Sequence, residues 1–265
     1  MCTVTFIPRS NGFYVAMNRD ERIVRPSAVP PAIFAQGLVE SVYPLDSEGG
    51  TWIAANSTGI AFALLNWNEV QALRRKNRTR GCVIPALVSS HCVQAAESAL
   101  CRLDLDGILP FRLVGIFQAE ECIVEWRWDQ RSIEKYTFPW TKRQWCSSSL
   151  SDATATSTRR QVFEQKPKDC HASPLTWLRQ LHSSHDGEHP QFSHCVHRED
   201  VETVSYTELV CSNRGIECNY LAGSPCKTNA DRRGVSLPFT PTPAIRSRSK
   251  CDKRELLDCP SPIVG

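Results

Sequence analysis

The grouping of strand-like and helix-like segments most constrains what this chain of 265 residues can fold into. Thr3 to Ile7 alternate and β-branch as a strand does. Residues 3–9 and 13–19 are separated by Ser10, Asn11 and Gly12, a turn sequence suited to positive φ, so they read as a hairpin. A second hairpin follows a Pro-rich loop, with Gly49 and Gly50 introducing residues 51–55, and Ser57, Thr58 and Gly59 turning into residues 60–65. Residues 83–103 carry apolar side chains at helical spacing, with Pro85 in a first turn and Ser89 or Ser90 dividing two helices. Strands return as a meander at 111–117, 122–128 and 133–136. Helices follow near 158–166 and at 174–181, the latter capped by Ser173 with Pro174 in its first position. The last strands span 201–210 and 216–221, joined at Asn213, Arg214 and Gly215. Strands and helices in separate runs predict an α+β fold of antiparallel sheets covered by helix pairs. From residue 228 onward the pattern gives way to Pro, Ser, Arg and Lys, so the reading is one domain over 1–227 and a disordered tail over 228–265.

Charge adds little direction. The net charge of +3 is spread over scattered or paired residues, leaving no footprint for nucleic acid or an anionic membrane. The basic run from Arg74 to Arg80 lacks interleaved aromatics and reads as a solvated loop. No stretch approaches the ~18 apolar residues of a membrane span, and Pro8 and Arg9 interrupt any signal-peptide core, so a cytoplasmic location is expected. The thirteen cysteines are odd in number and contain no C-x-x-C, which reads as free thiols. Metal ligands crowd only at His182, His185, His189, His194, Cys195 and His197, and their Ser, Asp, Gly and Pro neighbours read as a polar loop, so no metal is expected.

Cys2 is the residue with the most specific chemistry. Removal of Met1 is favoured before a small side chain and would leave Cys2 with thiol and α-amine on one residue. An amine near pKa ~8 can take the proton of a thiol near ~8.5, which places nucleophile and base in one amino acid. The alternative is a small buried hydrophobe at a strand start.

The tetrapeptide Asn18, Arg19, Asp20, Glu21 stands downstream of Cys2, and Gly49, Gly50, Thr51 and Trp52 lie on the second hairpin. Together with Arg25 and Pro26, Leu65 and Asn66, residues 111–113, residues 197–200 and residues 203–205, this ordered set resembles the NRDE family of transport and Golgi organization 2-like proteins over most of the domain. That family resembles the cysteine branch of the N-terminal nucleophile hydrolases, which implies a four-layer αββα sandwich. The resemblance implies Cys2 as nucleophile, Asp20 as the carboxylate holding its amine, Asn66 as oxyanion donor with a main-chain amide of Asn66 or Trp67 as the second donor, and Arg198 as a guanidinium near the thiol. A hairpin would also set residue 20 beside residue 2 across the ladder. Asn18, Arg19, Trp52 and Ser148 are the expected substrate-binding residues. Two positions depart from the acylase pattern: Met17 stands where an arginine is usual, and Ser148 replaces an asparagine. A hydroxyl reaches less far than an amide.

Two functions follow from the resemblance. One is a cysteine amidohydrolase acting on a small acyl amide, without a cofactor. The other is a non-catalytic trafficking protein binding lipid or haem, associated with Golgi or mitochondria.

Overall fold

The structure, a computed structural model, describes residues 2–74, 77–165, 173–227, 233–239, 254–257 and 259. Fourteen strands occur in chain order among them: β1 (Cys2–Arg9), β2 (Gly12–Arg22), β3 (Val29–Gln36), β4 (Val39–Leu45), β5 (Ile53–Asn56), β6 (Ile60–Asn66), β7 (Phe111–Phe117), β8 (Cys122–Trp128), β9 (Ile133–Pro139), β10 (Arg143–Ser147), β11 (Val201–Ser212), β12 (Gly215–Ala222), β13 (Arg233–Pro238) and β14 (Arg254–Leu256). The helices are α1 (Val83–Leu87), α2 (Val93–Arg102), α3 (Asp152–Gln165) and α4 (Pro174–His182). The strands form a six-stranded sheet, in the order β10-β1-β2-β11-β12-β13, and an eight-stranded sheet, in the order β14-β9-β8-β7-β6-β5-β4-β3. The fold is α+β.

Alternation along each strand sorts side chains between two apolar cores. On β2, Phe13, Val15 and Met17 join Val4 and Phe6 of β1 and the β6 residues Ala61, Ala63 and Leu65 in a core shared by both sheets. Ala16 on the opposite face packs with Phe163 of α3 and with Trp177, Leu178 and Leu181 of α4. On β6, Ile60, Phe62 and Leu64 instead meet Val83, Ile84 and Leu87 of α1 and Ala96 and Leu100 of α2. Each large apolar side chain so buried contributes about 1.5–3 kcal/mol of transfer free energy. The first hairpin closes with Arg9 opposite Gly12. Gly12 has φ +148°, and a Cβ there would lie 2.1 Å from the Cys211 carbonyl oxygen, so only glycine fits this turn against β11.

The Pro-rich segment is more ordered than its composition suggests. Residues 29–36 form β3, an edge strand whose pairing with β4 shifts between Val29 and Ala32, where Pro30 and Pro31 sit without disturbing a ladder. The tail reading needs correction as well. Residues 233–238 extend the six-stranded sheet through pairs such as Leu237 with Ile216, and Leu237 is buried, while β14 pairs with β9. Short edge strands set in polar sequence carry too few alternating positions to show a period; the remaining tail residues lie outside those described. The free-thiol reading fails at one pair, because β14 brings Cys259 to α2, where it is disulfide-bonded to Cys101 across 158 residues of sequence.

Candidate active site

Cys2 opens β1 and is buried, with Arg19 opposite it on β2 and Ser147 opposite it on β10. Its main-chain nitrogen donates to Ser147 Oγ at 3.0 Å. Cys2 lines a cavity of about 130 Å³ together with Arg19, Asp20, Glu21, Arg25, Asp46, Trp52, Asn66 and Arg80. Burial pushes the Cys2 thiol up, a push that Asp20 reinforces, whereas the chain's amino group, Arg19 and a hydrogen bond from the Asp20 main chain pull it back. The net result is a protonated thiol at neutral pH, which needs a base at the moment of attack.

The register refines the sequence expectation: Arg19, not Asp20, stands directly across from Cys2. Arg19 lies over the Trp52 ring, with Cζ 4.4 Å from the ring centroid, and reaches Glu21 at 3.4 Å. Arg25 joins Glu21 at 2.7 Å and Asp46 at 3.2 Å, and Asp46 Oδ1 accepts from the Gly50 and Glu48 amides. Burial alone would raise the Glu21 carboxyl, but the Arg22 amide and Arg25 and Arg19 outweigh it and hold Glu21 below its usual value.

Asp20 is buried, one residue along from the register position of Cys2. Its Oδ1 accepts from Thr203 Oγ1 at 2.6 Å, and its Oδ2 lies 3.6 Å from Arg159. Arg159, on α3, also donates to the Phe192 and Ser193 carbonyls at 3.1 Å, to the Cys2 carbonyl at 3.4 Å and to the Ser147 carbonyl at 3.5 Å. One buried guanidinium thus ties the Asp20 carboxylate on β2 to β1, which carries the thiol, and to β10 beside it. The signal for it was present in sequence, since Asp152, Ala155, Arg159 and Phe163 share one inward helical phase and all are buried.

Asn66 ends β6 at the cavity, and among the described residues its side-chain amide makes no hydrogen bond. The Trp67 amide donates to the Pro110 carbonyl at 3.3 Å, which removes it as a second oxyanion donor. The basic run is not wholly solvated either. Arg78 pairs with Asp104 at 3.1 Å, but Arg80 turns into the cavity, where its Nη1 donates to the Pro110 carbonyl at 3.1 Å. Among the described residues no carboxylate pairs with Arg80; burial lowers its pKa, with Cys2 and Glu21 opposing that shift. A near approach of Gly50 to Gly81 sets this wall: a Cβ on Gly81 would lie 2.9 Å from the Gly50 Cα.

Three expected site residues are not at the cavity. Asn18 faces the helices, where Nδ2 donates to the His182 and His194 carbonyls at 2.8 and 2.7 Å, so it fastens the segment after α4 instead of binding a substrate. Ser148 is bound into the start of α3, its amide donating to Asp152 Oδ1 at 2.6 Å and its Oγ accepting from the Leu150 amide at 3.3 Å. The serine that meets Cys2 is Ser147, because the β1–β10 register puts it there. Arg198 donates to Ser149 Oγ at 3.1 Å and pairs with Asp200 at 3.4 Å. The turn holding it is closed by the Arg198 amide donating to the Val201 carbonyl, and the cavity wall does not include it.

Away from the cavity, the only group of His, Cys, Asp and Glu able to hold a metal ion among the described residues is His185, Cys195, His197 and Cys226. No helix among the described residues is long and apolar enough to cross a membrane, which says nothing of a β-barrel.

Among solved structures, the C2A mutant of conjugated bile acid hydrolase from Clostridium perfringens is similar to this chain at 10% identity and a TM-score of 0.51, covering 89% of this chain and 92% of that one. Penicillin V acylase from Agrobacterium tumefaciens is also similar, at 10% identity and a TM-score of 0.46, covering 97% and 91%. No curated protein matches. Likeness at this identity speaks to fold, and the fold is that of the N-terminal nucleophile hydrolases. The Transport and Golgi organisation 2 family pattern matches residues 1–186, well over half the chain. With its start cysteine and Asn-Arg-Asp-Glu strand paired in one sheet, the chain belongs to the Transport and Golgi organisation 2 family.

Proposed function

We propose that this chain is a four-layer αββα N-terminal cysteine amidohydrolase acting on a small acyl amide that carries an anionic group. The observation that carries the reading is the convergence of Cys2, Arg19, Asn66 and Arg80, from four separate chain segments, on one cavity. With Met1 removed, the Cys2 sulfur attacks the substrate carbonyl carbon while its thiol proton passes to the α-amine, which Ser147 and Asp20 orient. The carbonyl oxygen becomes an oxyanion held by the Asn66 amide. Collapse breaks the C–N bond, the leaving amine takes the proton from the α-ammonium, and water then hydrolyses the thioester to release the acid and restore the thiol. Arg80, half-buried at the cavity and without a carboxylate partner among the described residues, suits an anionic substituent on the substrate.

The alternative of haem or lipid binding draws less support, since a cavity of about 130 Å³ edged by arginines and carboxylates offers little apolar surface. The test combines intact mass with screening of acyl amides. Met1 should be absent, Cys2→Ala should abolish turnover, and Asn66→Ala should lower kcat by roughly 10² to 10³ with little change in substrate affinity. Retention of Met1 would overturn the mechanism, because residue 2 would then lack its amine.

A further inference from the structure

We propose that His185, Cys195, His197 and Cys226 form a structural zinc site. Their ligating atoms all lie within 4.8 Å of one another. Cys195 Sγ is 3.5 Å from Cys226 Sγ and 3.6 Å from His197 Nε2, and His197 Nε2 is 3.0 Å from Cys226 Sγ. The His185 and His197 rings stand 5.3 Å apart between centroids. A tetrahedral zinc with Zn–S near 2.3 Å and Zn–N near 2.0–2.1 Å requires about 3.8 Å between two sulfurs and about 3.6 Å between a sulfur and an imidazole nitrogen. The sulfur and His197 positions match these spacings to within about 0.6 Å, and the exposed His185 completes the set with its ligating atom within the same 4.8 Å.

The donor set selects the metal. Two thiolates cancel the charge of a divalent ion and two imidazoles complete four soft-to-borderline ligands, a combination that favours zinc over the oxygen-seeking magnesium and calcium. With all four positions supplied by protein, none is open for water or substrate, so the site is structural. It also has structure to hold, because its ligands come from three segments: the one after α4, the one leading into β11 and the turn after β12. Cys195 and His197 bracket Val196, whose amide donates to Thr203 Oγ1 at 2.9 Å, the same hydroxyl that donates to Asp20. Cys226 lies in a turn anchored by Ser224 Oγ donating to the Thr203 carbonyl at 2.8 Å. A metal here would clamp the backbone behind Asp20. It stands on the ligand geometry alone and does not depend on the hydrolase reading.

The experiment is metal analysis of the full-length chain purified under reducing conditions without chelator, followed by Co²⁺ titration of protein stripped by chelator. Close to one zinc per chain is expected, and one equivalent of Co²⁺ should give the visible bands of a tetrahedral site with thiolate-to-cobalt charge transfer. Cys226→Ser and His185→Gln, both at exposed positions, should each cut zinc content at least tenfold while the chain stays folded by circular dichroism. Cys92→Ser, outside the cluster, should leave zinc content unchanged. Reduced protein that takes up no Co²⁺, uptake that Cys226→Ser leaves unaltered, or a Cys195–Cys226 disulfide whose reduction yields no metal binding would each overturn the proposal.

Discussion

Replacing Arg159 with methionine removes a charge from the least accessible part of the site while keeping most of the side-chain volume. Arg159 is 1% exposed, and it faces Asp20 at 3.6 Å and four main-chain carbonyls at 3.1 to 3.5 Å. Without the guanidinium, Asp20 keeps the Thr203 hydroxyl but loses a buried counter-charge. Breaking a buried pair from one side costs about 3–5 kcal/mol, because the remaining charge stays desolvated. With an unfolding entropy of ~2.1 cal/mol/K per residue, a chain of this size shifts Tm by about 2 °C per kcal/mol, so a fall of roughly 6 to 10 °C is expected. Arg160→Met supplies the control one residue away: Arg160 is 71% exposed and pairs with Glu164, itself 57% exposed, in a surface i,i+4 contact that contributes little. Scanning calorimetry at neutral pH reads both variants. Adding Asp20→Asn to Arg159→Met should be less destabilising than the sum of the two single changes, since the second change removes the charge that Arg159 faced. A loss under about 1 kcal/mol for Arg159→Met, or strict additivity in the double variant, would refute the assignment of Arg159 as the counter-charge of Asp20.

Alkaline stability offers a second check. Burial pushes Cys218 up to about 12, so its contribution is fully present below the unfolded thiol pKa of about 8.5 and is lost as pH rises toward the folded value. Over that window the wild type should lose about 1.4 kcal/mol per pH unit more than Cys218→Ala in urea unfolding, and parallel pH curves would show that the thiol does not titrate on unfolding. A third prediction concerns the C-terminal strands. Ending the chain at Lys227 removes β13 with its buried Leu237 and deprives Cys101 of Cys259, so melting temperature should fall, and Leu237→Ala in the full chain should by itself cost about 2–5 kcal/mol. An unchanged melting temperature in both would mean that β13 adds nothing to the sheet.

What could be read without a structure was local. Ser10 to Gly12 fix the first hairpin because a turn and its flanking strands are neighbours in the chain, and that hairpin alone brings the motif strand alongside Cys2. Ser173 caps α4 for the same reason, its Oγ accepting from the Thr176 amide three residues on. The grouping of strands and helices into runs likewise gave the α+β class. Tertiary structure decided which way the motif residues point. Residues 15 to 20 of β2 are all buried, because one face meets the second sheet and the other meets helices, so the polar and apolar alternation that reveals a half-exposed strand is absent. Asn18 and Arg19 were therefore indistinguishable as site residues until α4 and Trp52 took their places on opposite faces. Arg80 turned inward, Ser147 rather than Ser148 met Cys2, and Cys226 joined His185, Cys195 and His197, each through contacts made across long separations in the chain. Such contacts depend on sheet register and helix docking, which no short window of sequence encodes.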